Sequence, residues 1–201
     1  MNGVGAGAAL IMVATLGMSL AGLYVSPALL ERCLFRPYGV QRGQRLHTLV
    51  TSGLMHADLP HLIFNLITFY FFAFQLEKQI GGARFAALYL IGLVVSDAGT
   101  YFKQRNNPDY ASLGASGAIS AVLFASIVYF PWQKLFIIPI PVPIPAPIFA
   151  IGYVAYSWYS ARHARGRINH DAHLGGALAG LAFVLLTDPA AYSRLVAWAT
   201  G

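Results

Sequence analysis

Apolar residues run along this chain in long blocks separated by short polar connections. Six blocks, at about 6–28, 59–77, 84–102, 114–131, 146–161 and 171–188, approach the roughly 20 mostly apolar residues that a membrane-crossing helix needs. The last two are short and need flanking residues to reach across. No run alternates polar and apolar positions with period two, which argues against a closed barrel. A helix satisfies its own backbone in lipid. The pattern therefore predicts an all-α membrane protein, a six-helix bundle forming one domain over 1–201. The first connection, about 29–58, carries Arg32, Arg36, Arg42 and Arg45 with Pro37 and Gly39. It is too long for a tight turn and is expected to be structured at the membrane interface. Between Pro139 and Pro147 proline recurs at every second residue. Proline lacks the N–H a helix uses, so the fourth helix must end before it, and an extended polyproline-like spacer is expected.

Composition supports the bilayer as solvent. Of 201 residues, 57% are apolar and only 10% charged, against about 25% charged in ordinary soluble domains. The aromatics include 11 Tyr and 3 Trp, the residues of interfacial belts. The net charge of +6 lies in short loops between apolar blocks, which points to anionic lipid headgroups and away from nucleic acid. Cys33 is the single cysteine, so no intrachain disulfide can form. No Lys or Arg precedes Arg32. A secretory signal has a basic start and a shorter apolar core, so the first block reads as a retained span.

Candidate chemistry lies at the starts of three blocks. His61 and Asn65 are four apart and share a helix face. Two such side chains in an apolar helix either bond to a neighbouring helix or line a cavity. Ser116 opens the fourth block in Leu113-Gly114-Ala115-Ser116-Gly117-Ala118, and His173 opens the sixth in Ala172-His173-Leu174-Gly175-Gly176. The nucleophile-elbow pattern G-x-S-x-G fails, because Ala118 holds the last position and no strand precedes the serine. Gly176 and Gly180 have the spacing that lets two helices touch backbone to backbone. If the sixth helix packs so on the fourth, His173 can reach Ser116 and act as its general base. A hydroxyl nucleophile and an imidazole on separate glycine-lined apolar helices suggest a serine hydrolase within the membrane.

From Thr51 to Asp188 these residues together resemble the rhomboid family of intramembrane serine proteases. The carrying motifs are His56-x4-His61-x3-Asn65, Gly114-Ala115-Ser116-Gly117 and Ala172-His173-x2-Gly176-x3-Gly180, with Glu77-Lys78-Gln79-Ile80-Gly81 as a further segment. The resemblance implies a six-helix rhomboid-like bundle of bacterial type and a Ser–His dyad, Ser116 as nucleophile and His173 as general base and then acid. It implies that His61, Asn65 and the Ser116 backbone N–H hold the oxyanion. His56, Glu77, Gly114, Gly117, Gly176 and Gly180 are implied to be structural supports. Oxyanion donors suit a developing negative charge, and the amino end of a helix adds positive potential there. The implied substrates are transmembrane proteins whose helices unwind near one end, admitted by movement of the fifth helix and first loop. No metal or cofactor is implied, since His56 and His61 lack a third ligand at a zinc spacing.

Two family features are replaced. His47-Thr48 stands where many rhomboids carry Trp-Arg, and Ser120 stands where some members stack an aromatic on the dyad histidine. The dyad histidine is then held less rigidly or by another group. Asp171 is two residues from His173, and i and i+2 do not face each other on a helix, so it is not assigned to a triad. Asp97 lies within the third block, where an unpaired carboxylate costs roughly 2.5–3.5 kcal/mol at a span centre. It is expected to be protonated or bonded to a neighbouring helix.

Orientation is in conflict. Nine of the 13 Lys and Arg residues fall in the odd-numbered loops, on the side of Ser116 and His173. The positive-inside rule would put that side in the cytoplasm. The family precedent, a bacterial inner membrane protein with its active site open to the outside, puts it opposite. Two rivals to a protease stay open: a rhomboid-like pseudoprotease that binds membrane proteins, and a small transporter using His61, Asn65 and Asp97 as a polar path.

Overall fold

Proline, glycine and capping side chains divide the apolar blocks into helices. The computed structural model describes residues 5–137, 140–163 and 168–201. Helix α1 (Ala6–Leu20) continues into a widened π turn, Ala21–Val25, which ends ahead of Pro27. The first connection is folded, as α2 (Pro27–Cys33), α3 (Pro37–Val40), α4 (Thr48–Thr51) and a 3-10 turn at Ser52–Leu54. Helix α5 (Leu59–Ile80) starts where the Asp58 carboxylate accepts the His61 N–H at 2.8 Å, an N-cap that satisfies a donor the helix leaves free. It stops at Gly81, whose φ of 83° favours glycine. Helix α6 (Gly82–Gln104) follows at once.

Helix α7 (Ser116–Tyr129) is the centre of the protein, with every residue from Gly117 to Tyr129 buried. Helix α8 (Ala146–His163) carries Pro147 in its first turn. Helix α9 (His170–Thr187) is capped by Asn169, whose Oδ1 accepts the Ala172 N–H at 3.1 Å. A 3-10 turn, Pro189–Ala191, leads to α10 (Tyr192–Thr200), bent 110° from α9.

Each of the six predicted blocks coincides with one long helix, with ends moved by one to three residues where a cap or proline decides. Three of them, α1 with its π turn, α5 and α6, are long and apolar enough to cross a membrane, and α9 with the bent segment after it makes a fourth. Helix α7 is apolar but has only 14 residues. Large side chains such as Leu10, Phe64, Phe71, Ile151 and Leu186 point outward, as suits lipid contact.

The Pro139–Pro147 expectation needs correction. Pro139 lies outside the described residues, but the stretch after it is not a lone spacer. Strand β1 (Lys134–Ile137) pairs antiparallel with β2 (Ile140–Pro145), in the register Lys134 to Pro145 and Leu135 to Ile144. Successive N–H groups of a strand point to opposite edges, so proline at every second residue strips one edge only. The other edge still pairs, and the helix begins where the pattern ends.

Helix ends are tied by long-range bonds that fix an up-and-down order. At one end the Glu77 carboxylate of α5, 3% exposed, accepts the Gly7 and Ala8 N–H groups of α1 at 3.0 and 2.7 Å. A carboxylate there answers both the free donors and the positive end of the α1 dipole. At the same end the Tyr129 hydroxyl donates to Asp188 at 3.0 Å, and Arg194 donates to the Tyr129 carbonyl at 3.0 Å. At the opposite end Lys103 of α6 donates to Asp171 of α9 and to the Ala161 carbonyl of α8. Asp171 is engaged there, in keeping with its exclusion from a triad.

Three helices meet almost without side chains between them. A Cβ on Gly176 would strike the Gly117 carbonyl of α7, and one on Gly180 would strike the Ala121 carbonyl. A Cβ on Gly92 of α6 would stand 2.8 Å from the Ala121 Cβ, and one on Gly175 3.0 Å from the Ser96 carbonyl. Gly176→Val must therefore separate α7 from α9. We expect it to lower stability in detergent by more than about 4 kcal/mol or prevent folding. Gly152→Ala, where no atom lies within 4 Å of the added carbon, should be neutral or slightly stabilising. Thermal melts compare them, and a Gly176→Val protein melting like wild type would contradict the packing.

Candidate active site

The end of the bundle where α5, α7 and α9 begin gathers the chemistry-bearing residues. Ser116 is the first residue of α7, half-buried. The segment leading to it is pinned to the first connection. Phe35 and Ser112 exchange both backbone hydrogen bonds, at 2.9 and 3.0 Å, and the Gly114 N–H donates to the Ser52 carbonyl at 3.0 Å. Gly114 has a φ of 122°, a conformation that excludes most side chains. It is also the place where the His61 ring rests: a Cβ on Gly114 would stand 2.8 Å from His61 Cε1 and 3.1 Å from Nε2. One glycine thus admits both the turn into α7 and the imidazole beside it.

His173 lies in the first turn of α9. The contact of Gly176 with the Gly117 carbonyl puts that turn against the first turn of α7, and a Cβ on Gly117 would stand 3.3 Å from the Ala172 carbonyl. Ser116 and His173 therefore flank one helix-to-helix contact. No hydrogen bond joins them among the described residues. They are linked instead through a relay. The Ser120 hydroxyl donates to the Ser116 carbonyl at 2.8 Å and lies 2.7 Å from the Tyr153 hydroxyl. The Tyr153 ring stacks on the His173 ring, centroids 6.1 Å apart and planes 22° apart. A polar cavity of about 20 Å³, lined in part by Ser52, Asp97, Ser112, Ser116 and Asn169, lies beside the serine. That is room for about one water. Asp97 faces it without a hydrogen bond to any described residue.

Asn65 is 7% exposed, and its amide donates to the His61 carbonyl at 2.9 Å, within its own helix. His56 holds the first connection to α1. Ser19 donates its one hydroxyl proton to the Leu54 carbonyl at 2.9 Å, so the His56 Nδ1, 3.0 Å from that oxygen, must carry a proton and donate. The His56 ring meets His61 edge-on at 4.8 Å. His47 reaches the Arg32 carbonyl at 3.2 Å, and Thr48 is buried, donating to the Arg45 carbonyl. The first connection is anchored by these backbone contacts.

Several participants escaped the sequence reading. Tyr153 of α8 is one, its ring lying beside His173 while Ser120 holds the position one turn after the serine. Asn169 both caps α9 and accepts the Thr100 hydroxyl at 2.9 Å. His170 stands edge-on to His173 at 6.0 Å and to Tyr156 at 5.5 Å. Its position three before His173, on the same helix face, was the available signal.

Comparison with known proteins places the chain in a family. The Rhomboid domain family matches residues 43–189. The chain belongs to the rhomboid family. RHOMBOID-like protein 12, mitochondrial, of Arabidopsis thaliana is 31% identical over 154 residues, which are 68% of this chain and 45% of that protein. Presenilin-associated rhomboid-like protein A, mitochondrial, of Danio rerio is 33% identical over 138 residues, 68% of this chain and 36% of that protein. YdcA of Bacillus subtilis, provisionally named a rhomboid protease, is 41% identical over 81 residues, 40% of this chain and 39% of that protein. This rhomboid thus spans less than half the length of these relatives. Family membership and the apolar helices make it an integral membrane protein.

His56 gives the site a dependence on pH. Burial, then the neighbouring His61, push its pKa from 6.5 down to about 3, with Asp58 opposing. The unfolded chain binds that proton near pH 6.5 and the folded one only near 3. The stability is thus present above 6.5 and is lost as pH falls toward 3. Between pH 7 and pH 5 this amounts to roughly 2 kcal/mol at most. In thermal melts His56→Gln should lose less stability over that interval than wild type does. Parallel losses would exclude His56 as the source.

Proposed function

We propose that this rhomboid is an intramembrane serine endopeptidase with a Ser116–His173 dyad, its six long helices all crossing the membrane. The backbone contact of α7 with α9 at Gly117 and Gly176 carries this reading. It leaves the serine at the head of one helix beside the imidazole in the first turn of the other. The Ser116 Oγ attacks the scissile carbonyl carbon while His173 takes the hydroxyl proton. The tetrahedral oxyanion is met by the unpaired N–H groups at the start of α7, the Ser116 N–H among them, and by His61 over Gly114. His173 then gives its proton to the leaving amine as the C–N bond breaks. Water, deprotonated by the same imidazole, releases the acyl group and restores Ser116. The Asn65 amide, with one N–H held by the His61 carbonyl, has its second N–H to give to the oxyanion.

The substrate class follows from the setting. A peptide bond within a helix has its carbonyl bonded and shielded, so transmembrane segments that unwind near one end are preferred. The second reading is a rhomboid-like protein that binds membrane proteins without cleaving them. The missing Ser116–His173 hydrogen bond favours it, although such bonds are often long before substrate arrives. The charge count and the family precedent for a bacterial inner membrane protein put the site on opposite faces. Labelling a cysteine in place of Gln44 in intact cells, with an impermeant reagent, decides between them.

Cleavage of a model transmembrane substrate by the purified chain in detergent tests the proposal. Wild type should cleave, and Ser116→Ala and His173→Ala should each lose at least about 10³-fold in kcat. Cleavage that survives Ser116→Ala would refute the dyad, and a wild type that binds substrate without cleaving it would support the second reading.

A further inference from the structure

We propose that Tyr153 of α8, tethered through Ser120, is the positioning residue that holds the His173 imidazole toward Ser116. This rests on the dyad reading above and adds a residue to it. Ser120 Oγ has one proton, and it goes to the Ser116 carbonyl. The 2.7 Å contact with Tyr153 therefore has the tyrosine hydroxyl donating to Ser120. One serine thus ties the tyrosine to the first turn of α7, at the nucleophile's own carbonyl.

The ring is fixed on its other sides as well. Phe149, one turn earlier on α8, lies 5.7 Å away, and Phe124 of α7 lies 5.4 Å away. Centroid separations of about 4.5–7 Å are the range in which aromatic rings attract one another. His173 is then bounded by the Tyr153 face at 6.1 Å and by the His170 edge at 6.0 Å. Loss of the tyrosine ring removes the aromatic wall that α8 sets against the imidazole.

The origin of the ring on α8 has a consequence. Between α8 and helices α7, α9 and α10 lies an open apolar groove of about 650 Å³, lined by Phe124, Ile151, Val154, Trp158, Leu181 and Leu195 among others. Helix α8 is thus incompletely packed against the helices it faces. A displacement of α8 withdraws the wall from His173, so dyad alignment follows the seat of this helix.

The test uses the full chain in detergent, with kcat and KM on a model transmembrane substrate. In parallel, ¹³Cε1-labelled histidine NMR reads the His173 ring itself. Tyr153→Leu should lower kcat by about 10- to 100-fold with KM within about twofold, because a misplaced base costs transition-state stabilisation and not ground-state binding. Tyr153→Phe and Ser120→Ala, which keep the ring but cut its tether, should fall between wild type and Tyr153→Leu, losing about 3- to 10-fold in kcat. Tyr153→Leu combined with Ser120→Phe places a ring on α7 beside the imidazole and should recover at least about half of the lost activity on a logarithmic scale. The His173 resonance should be sharp in wild type and Tyr153→Phe, and broadened in Tyr153→Leu. Unchanged kcat in Tyr153→Leu, equal losses in the Leu and Phe variants, or a change confined to KM would each overturn the positioning role. A Tyr153→Leu protein that fails to fold leaves Tyr153→Phe and the double variant to decide. An inactive wild type with the predicted NMR pattern would sink the protease reading while supporting the wall, and an unaltered resonance would sink the wall.

Discussion

The direct contact of backbone with backbone between α7 and α9 is the constraint on which the rest depends. Gly176 lies on the Gly117 carbonyl and Gly180 on the Ala121 carbonyl, with no room for a Cβ at either place. In lipid no hydrophobic drive pulls helices together, and close van der Waals contact takes over that role. The same approach brings two first turns side by side, so the feature that holds the core also sets the helix heads that carry Ser116 and His173 against each other. Helix α6 closes on the pair through Gly92 and against Gly175. Structure and candidate chemistry cannot be separated here, since the glycines nearest the site are also the nearest points of packing.

A bundle so apolar must settle its polar groups at the helix ends, and it does so with few residues. Glu77 answers the start of α1, Asp58 the start of α5 and Asn169 the start of α9. Asp171 with Lys103, and Asp188 with Tyr129, join helices at opposite faces. Some of the polar groups left over lie at or near the site, while Thr15 and Ser126 keep bare hydroxyls elsewhere in the bundle. His56 keeps a bare Nε2, Asp97 faces the small cavity, and Asn65 is turned into its own helix. Where the fold leaves polar groups incompletely satisfied is where a function-bearing site is expected.

The helices were legible in the sequence because hydropathy in lipid is a one-dimensional signal. Blocks at 59–77 and 171–188 mark α5 and α9 to within three residues. The candidate residues Ser116 and His173 were picked out by motif, and they lie in the first turns of α7 and α9. What sits between them was not. Tyr153 is one of 11 tyrosines, and only the three-dimensional seat of α8 sets its ring on His173. The β1–β2 pairing was missed because proline was read as a property of the residue, while the outcome depends on which edge of the strand it faces. Asn65 was matched by spacing, but spacing does not say which way an amide turns.

The central claim, that Ser116 is a nucleophile activated by His173, is most directly tested by reaction of the purified chain with a fluorophosphonate, the modified residue mapped by mass spectrometry. This reads the nucleophile without needing a substrate. The account predicts a single adduct on Ser116, lost in His173→Ala and retained in Ser120→Ala. No adduct on folded protein, or one formed at the same rate without His173, would contradict it.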